Sequence, residues 1–77
     1  MRKLYVWQTH VGPFYIAEIH GRFHPVFGEE SLGSYHSAAS AADDLAGGHT
    51  FSLAGGIDTA DLGIPSDIAE WQIYQGE

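Results

Sequence analysis

The sequence predicts an α+β fold: an antiparallel β-meander of three to four strands, with one main α-helix packed on it and a short C-terminal helical turn. Three observations carry that expectation. Aromatic and β-branched runs fill residues 4–27 and are interrupted by glycine-containing turns. An alanine-rich stretch at helical spacing follows Ser37. The chain has 77 residues and no cysteine, so a single core made of side chains alone must hold one domain, residues 1–77. Four Phe, four Tyr and two Trp make that core feasible, because each aromatic ring buries roughly 150–250 Å².

The elements follow in order. Leu4-Tyr5-Val6-Trp7-Gln8-Thr9 reads as a strand, stopped by Gly12-Pro13 before a second run, Phe14-Tyr15-Ile16-Ala17-Glu18-Ile19. His20-Gly21 separates this from Arg22-Phe23-His24-Pro25-Val26-Phe27, and a two-residue primed turn there uses the positive φ that glycine allows. With His20 and Gly21 at the centre of the turn, Phe14 faces Phe27 and Ile16 faces Pro25. Phe14, Ile16, Phe23, Pro25 and Phe27 then share the core face. Pro25 lacks an N–H, so its strand must be locally an edge or carry a bulge. A short fourth strand is expected over Leu32-Gly33-Ser34-Tyr35, after the turn Gly28-Glu29-Glu30.

Ser37 is a good N-cap, Ala38, Ala41, Ala42 and Leu45 recur on one helical face, and Gly47 supplies a left-handed cap, which predicts a helix over 38–46. A long loop follows from Gly47 to Pro65, with Phe51 and Leu53 as apolar anchors. Asp58 to Gly63 reads as one capped turn. Pro65 to Trp71 reads as a short helix with Asp67 and Glu70 at capping-box spacing. Trp71-Gln72-Ile73-Tyr74 alternates, so it reads equally as a strand added to the sheet.

Charge is divided unevenly. Residues 1–28 hold Arg2, Lys3 and Arg22 against Glu18, a balance of +2, whereas residues 29–77 hold nine carboxylates and no Lys or Arg, a balance of −9. A field of that sign repels phosphate backbones, so direct DNA or RNA binding is disfavoured. The run Gly21-Arg22-Phe23-His24-Pro25-Val26-Phe27 echoes an aromatic RNA-recognition strand, but its order differs and Pro25 interrupts it. No run of 18 apolar residues exists and no signal peptide is read, so the expectation is no membrane span and a cytoplasmic location.

The segment Asp43-Asp44-Leu45-Ala46-Gly47-Gly48-His49-Thr50-Phe51-Ser52, with Gly56-Ile57-Asp58-Thr59 and Leu62-Gly63-Ile64-Pro65-Ser66-Asp67-Ile68-Ala69-Glu70-Trp71, resembles a signature of small uncharacterised bacterial proteins. The resemblance covers about residues 43–71. It implies a bacterial source and a free-standing domain, and it transfers no catalytic residue.

Chemistry-bearing constellations are sparse. His20 and His24 stand at ligand spacing for a helix, but across a hairpin one lies in the turn and the other opposite Ala17, so no zinc site is read and no metal or other cofactor is expected. Asp43, Asp44, Asp58, Asp61 and Asp67 flank glycine-rich loops whose carbonyls suit a hard cation, although no EF-hand spacing is present; helix capping by Asp58 and Asp67 is the competing account. Asp43 and Asp44 sit near a helix C-terminus, against the macrodipole preference, and a carboxylate accepting the amides of Gly48, His49 or Thr50 would compensate. Nucleophile elbow, phosphate loop and HExxH motifs are all missing, and a chain this short rarely walls off a water-excluding site. The sequence therefore points to a non-enzymatic acidic module that binds a basic protein surface, with imitation of nucleic-acid charge as one version. Its partner-binding residues are Asp43, Asp44, Asp58, Asp61, Asp67 and Glu70. Two alternatives are a small-ligand or divalent-cation domain using the 47–65 loop, and a structural homodimer joined through the apolar face of Tyr15, Ala17, Ile19 and Val26.

Overall fold

The computed structural model describes residues 2–50 and 58–76, and the expected anchors Phe51 and Leu53 lie outside them. Four consecutive antiparallel strands, β1 (Arg2–Thr9), β2 (Gly12–Ile19), β3 (Arg22–Phe27) and β4 (Glu30–Ser31), form a meander. The helix α1 (Ala38–Gly47) follows, then two 3-10 turns, Thr59–Asp61 and Ile68–Glu70. A fifth strand, β5 (Gln72–Gly76), returns to pair with the free edge of β1, giving the sheet order β4-β3-β2-β1-β5. The fold is α+β as expected, with five strands rather than three to four. The added strand is the alternating C-terminal segment: the Pro65–Trp71 stretch makes only one 3-10 turn, which frees Gln72 onward to pair.

The β2–β3 register is the one the turn chemistry dictates. His20 at φ 53° and Gly21 at φ 76° are both left-handed, the signature of a type I′ turn, which matches the right-handed twist of the strands it joins. Phe14 then opposes Phe27 and Ile16 opposes Pro25. The rings of Phe14 and Phe27 stack with centroids 4.5 Å apart. The missing N–H of Pro25 falls on the β4 side, and a bulge sits there. Between the pairs Phe23 with Tyr35 and Val26 with Ser31, the β4 side has one residue more than β3. The Leu32 amide donates to the Pro25 carbonyl at 2.7 Å, so the proline costs the sheet no ladder bond. The expected fourth strand is thereby split: pairing begins two residues earlier, at Glu30, and resumes at Tyr35. In the β1–β2 connection His10 and Val11 form the turn, with Gly12 and Pro13 already in β2. The Thr9 hydroxyl ties the turn by donating to the Gly12 carbonyl at 2.8 Å.

One face of the sheet carries the rows Ile73-Tyr5-Ile16-Pro25 and Trp7-Phe14-Phe27. Against it packs the alanine face of α1, with Ala38, Ala41, Ala42 and Leu45 buried; Leu32, Ile64 and Trp71 close the core. Short alanine side chains let the helix approach the sheet closely, so rings supplied by the strands fill the space. Phe23 and Phe27, expected as core, lie partly buried on its margin, while Phe14 and Ile16 at 0 % exposure form its centre. The Ser37 side chain caps α1 by accepting from the Ser40 amide. At the other end the left-handed cap is Gly48 at φ 74° rather than Gly47, so the helix runs one residue longer than expected.

Candidate functional site

The six acidic residues singled out by the sequence lie on α1 or flank the two 3-10 turns, and Glu70 also reaches the sheet margin beside Val6, Gln8 and Gln72. Asp43 and Asp44 are on the last turns of α1, Asp58 and Asp61 flank the first 3-10 turn, and Asp67 and Glu70 flank the second. Both 3-10 turns pack against α1. Asp43, Asp58, Asp61, Asp67 and Glu70 are exposed and Asp44 is half-buried.

Their local roles differ. Asp58 caps its turn by accepting from the Ala60 amide at 3.0 Å, and Asp67 accepts from the Ala69 amide at 2.9 Å. These caps are the competing account of the sequence, and they occupy one oxygen of each carboxylate. Glu70 does not complete a capping box, because the turn is 3-10 and only three residues long. The expected compensation at the end of α1 takes another form: the backbone carbonyl of Asp44, not a carboxylate, accepts from the His49 amide at 2.8 Å, in a Schellman arrangement with Gly48. The Asp44 carboxylate lies beside the Tyr35 hydroxyl. Partial burial pushes Tyr35 up to about 12, and the neighbouring carboxylate adds to the rise by favouring the protonated phenol. No sequence signal marks this pair, because the bulge after β4 and the helix bring the two together.

Asp43 and Asp61 are exposed and make no cap or side-chain hydrogen bond among the described residues. Among the described residues, no three His, Asp or Glu side chains converge on a point that would hold a metal ion. His20 lies in the type I′ turn and His24 opposes Ala17, as the hairpin requires. Thr59 is 4 % exposed and its hydroxyl has no partner among the described residues. A shallow open cleft at the sheet margin is lined by Val6, Trp7, Gln8, Glu70 and Gln72. It juxtaposes an indole with one carboxylate and two amides, with no nucleophile–base pair among them.

The second face of the sheet is uncovered by α1. Its cross-strand rows are Tyr74-Leu4-Ala17-His24 and Gln72-Val6-Tyr15-Val26-Ser31, with Ile19 beside Arg22. Tyr15, Ala17, Ile19 and Val26 lie together there, and β5 and β1 add Tyr74, Leu4 and Val6, which no reading of an unplaced C-terminus could include. Arg22 is held at the margin of this face, donating to the Ser34 hydroxyl at 2.9 Å and to the Ser34 carbonyl at 3.1 Å, with His36 Nδ1 at 3.1 Å. No helix among the described residues is long and apolar enough to cross a membrane. No family model matches the chain, and no curated protein or solved structure matches it either.

Proposed function

We propose that the protein is a non-enzymatic interaction module whose acidic helical layer docks on a basic surface of a partner protein. The observation that carries this reading is the gathering of Asp43, Asp58, Asp61, Asp67 and Glu70, all exposed, on one layer within a stretch that has no Lys or Arg over residues 29–77. A field of one sign steers an oppositely charged partner and raises the rate of encounter. The same field would suit imitation of a nucleic-acid backbone toward a protein that binds one. Cation binding is the weaker use of these acids, because Asp58 and Asp67 are engaged as caps and the described acids do not converge.

The test is affinity capture at low and high salt, with the native chain beside the variant Asp43→Asn/Asp61→Asn/Glu70→Gln. Asp44 is left in place because it faces Tyr35. A basic protein retained at low salt, released at high salt and lost by the variant supports the reading. The same partners at both salts, held equally by the variant, would remove these acids from the functional surface.

A further inference from the structure

We infer that the face of the sheet turned away from α1, which no element among the described residues covers, is the contact surface for a second copy of this chain, forming a face-to-face dimer with the helical layers outward. The face is continuous and apolar: Leu4, Val6, Tyr15, Ala17, Val26 and Tyr74 occupy adjacent positions of two cross-strand rows. Tyr74 is 55 % exposed and Ile19, nearby on the same face, 39 %. Val6 is buried and Leu4, Tyr15, Ala17 and Val26 are half-buried among their neighbours, so the apolar surface offered to a partner is centred on Tyr74 and Ile19 with the partly exposed residues between them.

Charge selects the occupant. Although the chain holds ten Asp and Glu residues, none of the described side chains on this face is a carboxylate. Strand alternation turns Glu18 and Glu30 to the helix side, Asp43 and Asp44 lie on α1 beyond the sheet, and Glu70 stands at the margin, in the cleft with Val6, Gln8 and Gln72. Two copies of a chain with net charge −7 repel in most orientations. Packed sheet to sheet, with about 10 Å for each layer, the acids on their α1 helices stand roughly 30 Å apart, more than three screening lengths at physiological salt. This arrangement keeps the α1 acids of the two copies from each other. A different basic partner would be drawn to the acidic layer instead and repelled by Arg22 at the margin of this face, which leaves the face to a copy.

The area is sufficient. Five strands spaced about 4.8 Å apart, with rows extending about 20 Å along them, present roughly 500 Å² in projection, so a pair buries about 1,000 Å², the lower bound of a specific interface. A moderate, concentration-dependent association follows.

Sedimentation equilibrium over the micromolar range tests this, with Ile19→Lys and Ala17→Glu on the uncovered face and Ile73→Lys on the other face of β5 as the control. Ile73 is 52 % exposed, so the control adds a charge at comparable exposure. Circular dichroism of each variant establishes that it is folded, and Ile19, at the end of β2, tolerates lysine even if Ala17→Glu unfolds. The expected result is a native chain approaching twice 8.4 kDa, at least a tenfold weaker association for Ile19→Lys, and an unchanged one for Ile73→Lys. A native chain that stays monomeric throughout would overturn the inference. So would dissociation by Ile73→Lys with Ile19→Lys still dimeric, because that pattern means pairing through the β5 edge.

Discussion

Phe14 is the residue on which most of the core depends. It is fully buried, stacks on Phe27 and lies beneath the alanine face of α1. Truncation to Ala should cost about 3–5 kcal/mol, most of what a domain of this size has, whereas the partly buried Phe27 should lose about half as much. Urea denaturation of the two variants checks the order; equal losses would mean that the ring pair is buried as one unit. Tyr35 gives a pH signature. Its pKa is raised to about 12 from 10.0, first by burial and then by Asp44, so the folded state holds a proton the unfolded state gives up between these values. The resulting stability is fully present below pH 10 and is lost as pH rises toward 12. Asp44→Asn should lower the Tyr35 value only in part, because burial is the larger cause; an NMR titration of the ring measures it. This pair was illegible in the sequence. Its partners are joined by the bulge at Leu32-Gly33-Ser34, and a bulge is a property of two strands rather than of one segment.

At the scale of elements, turn chemistry decides most of the architecture, and that is why the meander could be read from residues. His20-Gly21 sets the β2–β3 register, and through it the core face of Phe14, Ile16 and Pro25. Ser37 and the Gly47-Gly48 pair bracket α1 to within one residue. The fifth strand was only half legible, because Trp71 to Tyr74 has an alternation that suits a strand while Asp67 and Glu70 mimic a helix start. Only pairing with β1 decides between them. Two glycine substitutions separate conformational strain from close contact. Gly21 and Gly48 both have positive φ, but a Cβ at Gly21 meets open space, whereas one at Gly48 would lie 2.6 Å from Asp58 Oδ1 and 3.1 Å from the Ala60 Cβ. Gly21→Ala should therefore cost about 1–2 kcal/mol by strain alone. Gly48→Ala should cost more, since the cap of the first 3-10 turn must also move. Thermal melts rank them, and an equal cost would show that Asp58 swings away freely.

At the scale of the whole molecule, the two layers differ in character: a largely apolar sheet face with Arg22 at its margin on one side, and a helical layer bearing carboxylates on the other. The charge asymmetry was plain in the sequence. Its arrangement was less so, because Asp58 and Asp67 are caps as well as charges and because the open face needs β5 to be complete. Repulsion within the acidic layer should weaken as salt screens it beyond about 8 Å at 0.15 M, so stability rises with ionic strength. Melts in calcium and in sodium matched for ionic strength should coincide. An extra stabilisation in calcium would instead reveal a cation site, as linkage requires. The central claim is that the helical layer is the docking surface, and mapping the footprint of the partner tests it most directly. An isotope-labelled chain titrated with the basic protein captured at low salt should show amide shifts concentrated at Asp43, at Asp58 to Asp61 and at Asp67 to Glu70. Shifts concentrated instead at Leu4, Ala17 and His24 would place the partner on the uncovered sheet and contradict the account.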